Sequence, residues 1–255
     1  MRQACAATYS SPAVQWLLGG ELHPGGERTT RRALELIGLR SGERLLDVAS
    51  GTGTSAILAA RELGCLATGI EYSADAARVA QTAADAAGLC DRVGFIQSDA
   101  DDLPFDDGSF DTALCECSLS TFSHKELALA ELHRVLRPGG RLAISDVTAD
   151  HDRLPKPLGQ VMAHVACVGS ALPERGYEDL LSEAAFEVLA CERCDHEAAA
   201  MAERIIDRLR GARVLGFGDV AEAAFSLDEA LELASLAAAA IAEGSLGYAI
   251  FTATR

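Results

Sequence analysis

Aromatic residues are scarce in this chain, 5% of 255, whereas alanine and leucine abound, a balance that suits a helix-rich domain. Positive charge is also in deficit: 22 lysines and arginines stand against 38 aspartates and glutamates, a formal net charge of −16. Such a surface repels a phosphate polyanion, which argues against a nucleic-acid partner. The acidic residues are scattered and form no tail, as expected of a self-repelling surface in water. No stretch approaches the ~18 apolar residues that cross a bilayer, so no membrane partner is expected. The opening segment "MRQACAATYSSPAVQWLLGG" lacks the apolar core of a secretory signal. Eight cysteines fall short of a disulfide scaffold, which begins at roughly 8% of residues. These absences together lead to the expectation of a cytoplasmic protein whose thiols stay reduced. Internal repeats and low-complexity linkers are missing too. A chain of this length builds one α/β domain with a full core, plus a helical elaboration.

What is present is alternation. "ERLLDVASGTGTSAILAARELG" reads as a strand, a Gly-rich turn and an alanine-rich helix, and "CLATGIEYSADAARVAQTAADAAG" repeats the pattern. Its strand ends at Glu71, with Ser73 or Asp75 as the helix cap. "DRVGFIQSDADDLPF" supplies a third strand, "SFDTALCECSL" a fourth, "KELALAELHRVL" a helix and "RPGGRLAISDV" a fifth strand. Strands alternating with helices over short loops predict a parallel, doubly wound sheet. Beyond it, "FEVLACERC" reads as a strand, residues 195–243 as helical, and "LGYAIFTATR" as a closing strand. The segment before the first strand carries "LLGGELHPGGERTTRRALELIGL", a Gly-rich loop entering a helix. The expected organisation is a cap segment at 1–43, a core at 44–194, a helical insertion at 195–243 and a final core strand at 244–255.

The first Gly-rich turn is the first candidate site. Gly51 and Gly53 let the backbone bend sharply and come close to a ligand, and the following helix offers unpaired N–H groups. A turn of this kind is shared by dinucleotide and nucleoside binders. Glu71, 18 residues after Gly53, ends the second strand, where a carboxylate can accept both hydroxyls of a ribose. Asp99 ends the third, within reach of an adenine edge. Three such positions at successive strand ends converge on one crevice.

The run "LLDVASGTGTSA", "GIEYS", "SDADDLPFDDGSFDTAL" and "HRVLRPGGRLAISD", residues 44 to 148, resembles the successive motifs of class I S-adenosylmethionine-dependent methyltransferases. The resemblance implies a Rossmann-like sheet of seven strands, the last two antiparallel, with the helical insertion before the last strand. It implies S-adenosyl-L-methionine as cofactor. Asp47 and the turn would take its methionine end, Glu71 the ribose and Asp99 the adenine. The implied cofactor set is Asp47, Ala49, Gly51, Gly53, Glu71, Tyr72, Asp99, Ala100 and Cys115. Ala49 departs from the pattern, because a glycine is usual there. Pro138, Gly139 and Gly140 would turn the chain into the fifth strand. "GGELHPGGERTT" resembles the loop that closes over the cofactor in small-molecule methyltransferases. It puts His23 against the methionine moiety or the substrate, although not as a base.

The remaining signal is "LCECSLSTF", with Cys115 and Cys117 where a strand runs into a loop. Inert packing, a redox pair and ligation of a soft electrophile are all open to them. In extended backbone the two share one face. The segment is similar to one in arsenite methyltransferases, in which Cys117 matches an arsenic-binding cysteine. A second match is Cys167, about fifty residues on in "ACVGSALPERGYEDLLSEAAF". That resemblance implies trivalent arsenic, as arsenite or its monomethyl form, held by Cys117 and Cys167. The soft ion suits thiolates, and its lone pair would attack the methyl with no general base. A further thiol found in many of those enzymes corresponds here to Ala56. A third ligand would then be Cys115, an external thiol cosubstrate, or none. Cys191 and Cys194 form a C-x-x-C with no second pair, a poor zinc site. Cys5, Cys65 and Cys90 read as packing or surface thiols. The competing reading is methylation of a carbon, nitrogen or oxygen atom of a small organic molecule, with Glu116, His124 or His164 handling the proton. A module that binds cofactor or metalloid without turnover is the third.

Overall fold

The structure is a computed structural model that describes residues 12–161, 166–214 and 226–255. Seven strands form one sheet: β1 (Arg44–Val48), β2 (Leu66–Glu71), β3 (Val93–Gln97), β4 (Phe110–Glu116), β5 (Leu136–Ala149), β6 (Glu187–Arg193) and β7 (Leu246–Thr254). Their order is β3-β2-β1-β4-β5-β7-β6. β1 to β5 run parallel, while β7 inserts antiparallel between β5 and β6. The strand order reverses between β1 and β4, so the crevice at their C-terminal ends is where an open α/β sheet binds its ligand.

Helices cover both faces. α1 (Pro12–Leu18) and α2 (Glu27–Leu36) precede the sheet; α3 (Thr54–Leu63) and α4 (Ala74–Ala86) follow β1 and β2. α5 (Lys125–Val135) leads into β5. The short helices α6 (Lys156–Val161) and α7 (Ala166–Gly169), then α8 (Glu174–Glu183), connect β5 to β6. α9 (Asp195–Val214) and α10 (Leu227–Ala242) lie between β6 and β7. Alternate strand residues feed two hydrophobic clusters. Leu45, Leu114 and Ala143 face one side; Leu46, Val48, Ala113, Cys115 and Ile144 face the other. Small residues let α3 and α4 approach closely, with Ala56, Ala59, Ala80 and Ala84 fully buried. Ser73 caps α4 by accepting from the Ala76 N–H at 3.3 Å.

Three left-handed residues, Ala49, Gly51 and Gly53, shape the first turn. Gly53 has φ +82°, and a Cβ there would lie 2.4 Å from Phe95 Cζ, so neither conformation nor space admits a side chain. Ala49, at φ +58°, is in the same region but carries a Cβ. The conformation costs an L-residue roughly 1–2 kcal/mol, partly offset by the greater freedom glycine has when unfolded. Ala49→Gly is therefore expected to raise stability by about 0.5–1 kcal/mol. The check is a higher urea midpoint at unchanged slope; a lower midpoint would contradict the strain.

Candidate active site

A cavity of about 750 Å³ opens over the C-terminal ends of β1, β2, β3 and β4 and is roofed by the segment before α2. Asp47, Ala49, Gly51, Glu71, Tyr72, Asp99, Ala100, Glu116, Cys117 and His23 all line it. Gly53 supports the turn from behind. Glu71 holds that turn in shape: its Oε2 accepts from the Gly51 N–H and its Oε1 from the Ser73 N–H, both at 2.9 Å. Each oxygen keeps a further lone pair toward the cavity, as two ribose hydroxyls require. Asp99 Oδ1 accepts from the Asp101 N–H at 3.2 Å and fixes the loop after β3.

Asp47 is only 2% exposed, and among the described residues its Oδ2 has no hydrogen-bond partner. Burial first, then the charge of Glu116, push its carboxyl well above the ordinary aspartate range. Glu116, also buried, accepts from Thr30 Oγ1 at 3.1 and 3.2 Å and from Ser55 Oγ at 2.5 Å. His23 Nε2 lies 3.8 Å from Glu116 Oε2. Arg28 and Arg204 reach the rim but pair with Glu197 and Glu21, and so clip the roof to α9. The turn, the two Glu71 oxygens at the cavity and a buried carboxylate oxygen with no partner among the described residues suit a nucleoside with a cationic tail. S-adenosylmethionine, with its sulfonium and ammonium, is such a molecule.

The two cysteines of "LCECSLSTF" do not share a face. Cys117 has φ +50°, which breaks the alternation of β4. Cys115 is fully buried among Leu46, Ile70 and Leu129 and does not line the cavity, whereas Cys117 packs toward the opposite cluster and does line it. Burial raises the Cys115 thiol, and the cofactor role expected for it is corrected to a place in the core. Cys167 is brought to Cys117 by the chain after α7. Thr148 bridges Leu172, the Ala149 N–H donates to Leu172 O at 3.0 Å, and His151 Nε2 meets Ala171 O at 2.8 Å. Cys117 is in hydrogen-bond contact with Cys167, and this contact, then burial, raises its thiol. Cys167 itself is buried and outside the cavity lining.

Cys191 and Cys194 pack in the clusters on opposite faces of the sheet and do not form a chelating pair. Burial raises both to about 11. Cys65 is buried, Cys90 exposed, and Cys5 lies outside the described residues. His124 is an exposed partner of Asp101 at 3.0 Å, away from the cavity lining, and His164 lies outside the described residues.

Sequence reasoning passed over Thr30, Ser55 and Asp146. The last had a signal, an acid inside the apolar run "LAISDV". Fully buried, Asp146 accepts from the Ser120 N–H at 2.8 Å, Ser120 Oγ at 2.9 Å and the Val147 N–H at 2.8 Å. It thereby pins the 3₁₀ turn Leu119–Thr121 that follows Cys117.

The comparisons agree with this geometry. Residues 39–192 match the family model described as a methyltransferase domain. The O-methyltransferase cnsE of Penicillium expansum is 34% identical over 196 residues, 71% of this chain and 70% of that protein. The ubiquinone/menaquinone biosynthesis C-methyltransferase UbiE of Stutzerimonas stutzeri (strain A1501) is 34% identical over 180 residues, 68% of each. Against several other curated relatives the chain spans about half their length. The crystal structure of the [4+2]-cyclase SpnF superposes with a TM-score of 0.73 at 27% identity, covering 100% of this chain and 95% of that one. A Haemonchus contortus phosphoethanolamine N-methyltransferase 2 in complex with S-adenosyl-L-methionine does so at 0.82 and 19%, covering 100% and 59%. No helix among the described residues is long and apolar enough to cross a membrane.

Two outcomes follow. Glu71→Ala removes the acceptor for two backbone N–H groups and the carboxylate expected to meet the ribose, so calorimetry should show cofactor affinity down by at least tenfold; unchanged affinity would contradict the assignment. Burial pushes the Asp146 carboxyl up to about 6. The folded state then binds the extra proton between about pH 6 and pH 4, so this residue's contribution to stability rises as pH falls through that window. Against Asp146→Asn, the parent should gain up to about 3 kcal/mol between those values in urea titrations. A flat difference would contradict the shift.

Proposed function

The chain belongs to the methyltransferase-domain family and is an S-adenosylmethionine-dependent methyltransferase, and from that premise we propose that its acceptor is a small organic molecule seated against the loop after β4. The observation that carries this reading is the continuity of the cavity. It runs without a break from the nucleoside-facing ends of β2 and β3 to Cys117, Ser118, Thr121 and Phe122 and up to His23. Its volume is within the ~300–1,000 Å³ range of small-molecule sites. Relatives whose names specify an oxygen and a quinone-pathway carbon as methylated atoms support an organic acceptor.

The bound cofactor supplies an electrophilic methyl group. The protein's part is to exclude water, fix the acceptor and take its proton. Phe122 and Leu22 give the cavity apolar surface, and Ser118 and Thr121 give it hydroxyls. His23 is the histidine among the lining residues, and it leans on Glu116. Against the sequence expectation that His23 is no base, its place in the cavity wall makes it the side chain to accept a proton from a phenol, an enol or a carbon acid.

A second reading, methylation of thiolate-bound trivalent arsenic, is favoured by one observation: Cys117 and Cys167 touch at the end of the cavity next to that loop. It needs two thiols and no base, whereas the first needs a base and no thiol. Labelled-cofactor turnover is therefore to be measured with a panel of phenols and quinols, and with arsenite plus an external thiol. His23→Gln should slow the organic reaction by roughly 10²–10⁴, with Cys117→Ser within a few-fold of the parent. Turnover confined to arsenite, lost equally in Cys117→Ser and Cys167→Ser and indifferent to His23→Gln, would replace the first reading with the second.

A further inference from the structure

We propose that Glu116 binds the α-ammonium group of the cofactor, forming with Asp47 a two-carboxylate clamp that Thr30 and Ser55 hold in position. The inference rests on S-adenosylmethionine as cofactor and is independent of the acceptor.

Glu116 and Asp47 end adjacent parallel strands, and both line the cavity. Asp47 is almost wholly buried, with its Oδ2 aimed at no partner. Two buried carboxylates this close raise each other's cost of ionisation unless a cation comes between them. Among the described residues no lysine or arginine pairs with either, and the arginines at the rim are engaged with Glu197, Glu21, Glu27 and Glu62. A small cation with several N–H donors answers the geometry, because among the described residues Glu116 Oε1 accepts from Thr30 alone and keeps a lone pair, and Asp47 Oδ2 has no donor. A primary ammonium offers three.

The hydroxyls show that Glu116 is held for a purpose at the cavity wall. Ser55 sits on the first turn of α3 and Thr30 on α2, in the roof, and both donate to the same carboxylate. Those donors fix its rotamer before any ligand arrives. Because Thr30 belongs to the roof, a cation on Glu116 also strengthens the acceptor that anchors α2 across the crevice.

Three ligands separate this role from a purely structural one. S-adenosylmethionine has both the sulfonium and the ammonium, S-adenosylhomocysteine only the ammonium, and 5′-methylthioadenosine neither. Glu116→Gln keeps an oxygen for Thr30 and Ser55 but removes the charge. Calorimetry on this variant should show S-adenosylmethionine and S-adenosylhomocysteine weakened together, by roughly 10- to 100-fold, with 5′-methylthioadenosine binding as in the parent. Equal weakening of all three would mean that Glu116 only supports the turn. Weakening of S-adenosylmethionine alone would place the carboxylate at the sulfonium. No change in any would leave Glu116 outside the cofactor site. Each of these three results overturns the proposal. Failure of the unaltered protein to bind S-adenosylhomocysteine would strike the cofactor itself and the proposal with it.

Discussion

Three carboxylates, Asp47, Glu71 and Glu116, stand at the C-terminal ends of β1, β2 and β4, and among the described residues no lysine or arginine pairs with any of them. Concentrating uncompensated acid in a buried crevice is costly. The surrounding structure lowers that cost by donating to it. Gly51 and Ser73 donate backbone N–H groups to Glu71, Thr30 and Ser55 donate hydroxyls to Glu116, and the Ala56 N–H favours ionised Asp47. Ala49, Gly51 and Gly53 are left-handed in the turn that carries the Gly51 N–H. What the protein leaves unsatisfied is, in the proposed clamp, what a cationic nucleoside would satisfy.

The second half of the site depends on a different buried acid. Asp146 holds the 3₁₀ turn after β4 through Ser120, and the Cys117 N–H donates to Ser145 O at 2.6 Å one residue earlier on β5. Between these fixed points Cys117 is driven into a left-handed conformation. That single backbone rotation takes its thiol off the face shared by Cys115 and puts it in the cavity wall, against Cys167. A strained residue at a ligand-facing position is a common mark of function. Here it supplies the one feature on which the arsenic reading stands.

The sheet was legible because its code is local. Alternating apolar strands, alanine-rich helices and glycine turns place five parallel strands and a closing antiparallel pair without long-range information. That Glu71 and Asp99 lie at the cavity was legible for the same reason, since Glu71 ends β2 and Asp99 follows β3 by two residues. What the sequence did not disclose depends on backbone torsion or tertiary approach. Period-2 reasoning put Cys115 and Cys117 together, and a positive φ separates them. The same reasoning cannot show that Cys191 and Cys194 straddle the sheet. Thr30 and Ser55 look like ordinary helix residues until β4 delivers Glu116 between them. The acceptor stayed ambiguous because a two-cysteine pattern and a methyltransferase core are both present, and the core is common to relatives with oxygen and carbon acceptors.

Proton linkage tests the central claim, that a cation of the cofactor replaces the one the acidic crevice lacks. Burial and the neighbouring charges of Glu116 and Glu71 hold Asp47 protonated to higher pH in the empty site, and a docked ammonium must reverse that shift. Calorimetric titration of S-adenosylmethionine across the acid-to-neutral range in which the protein stays folded, in buffers of differing ionisation enthalpy, counts the protons exchanged on binding. The account predicts net proton release that disappears in Asp47→Asn. Proton uptake, or no exchange at any pH in that range, would contradict it.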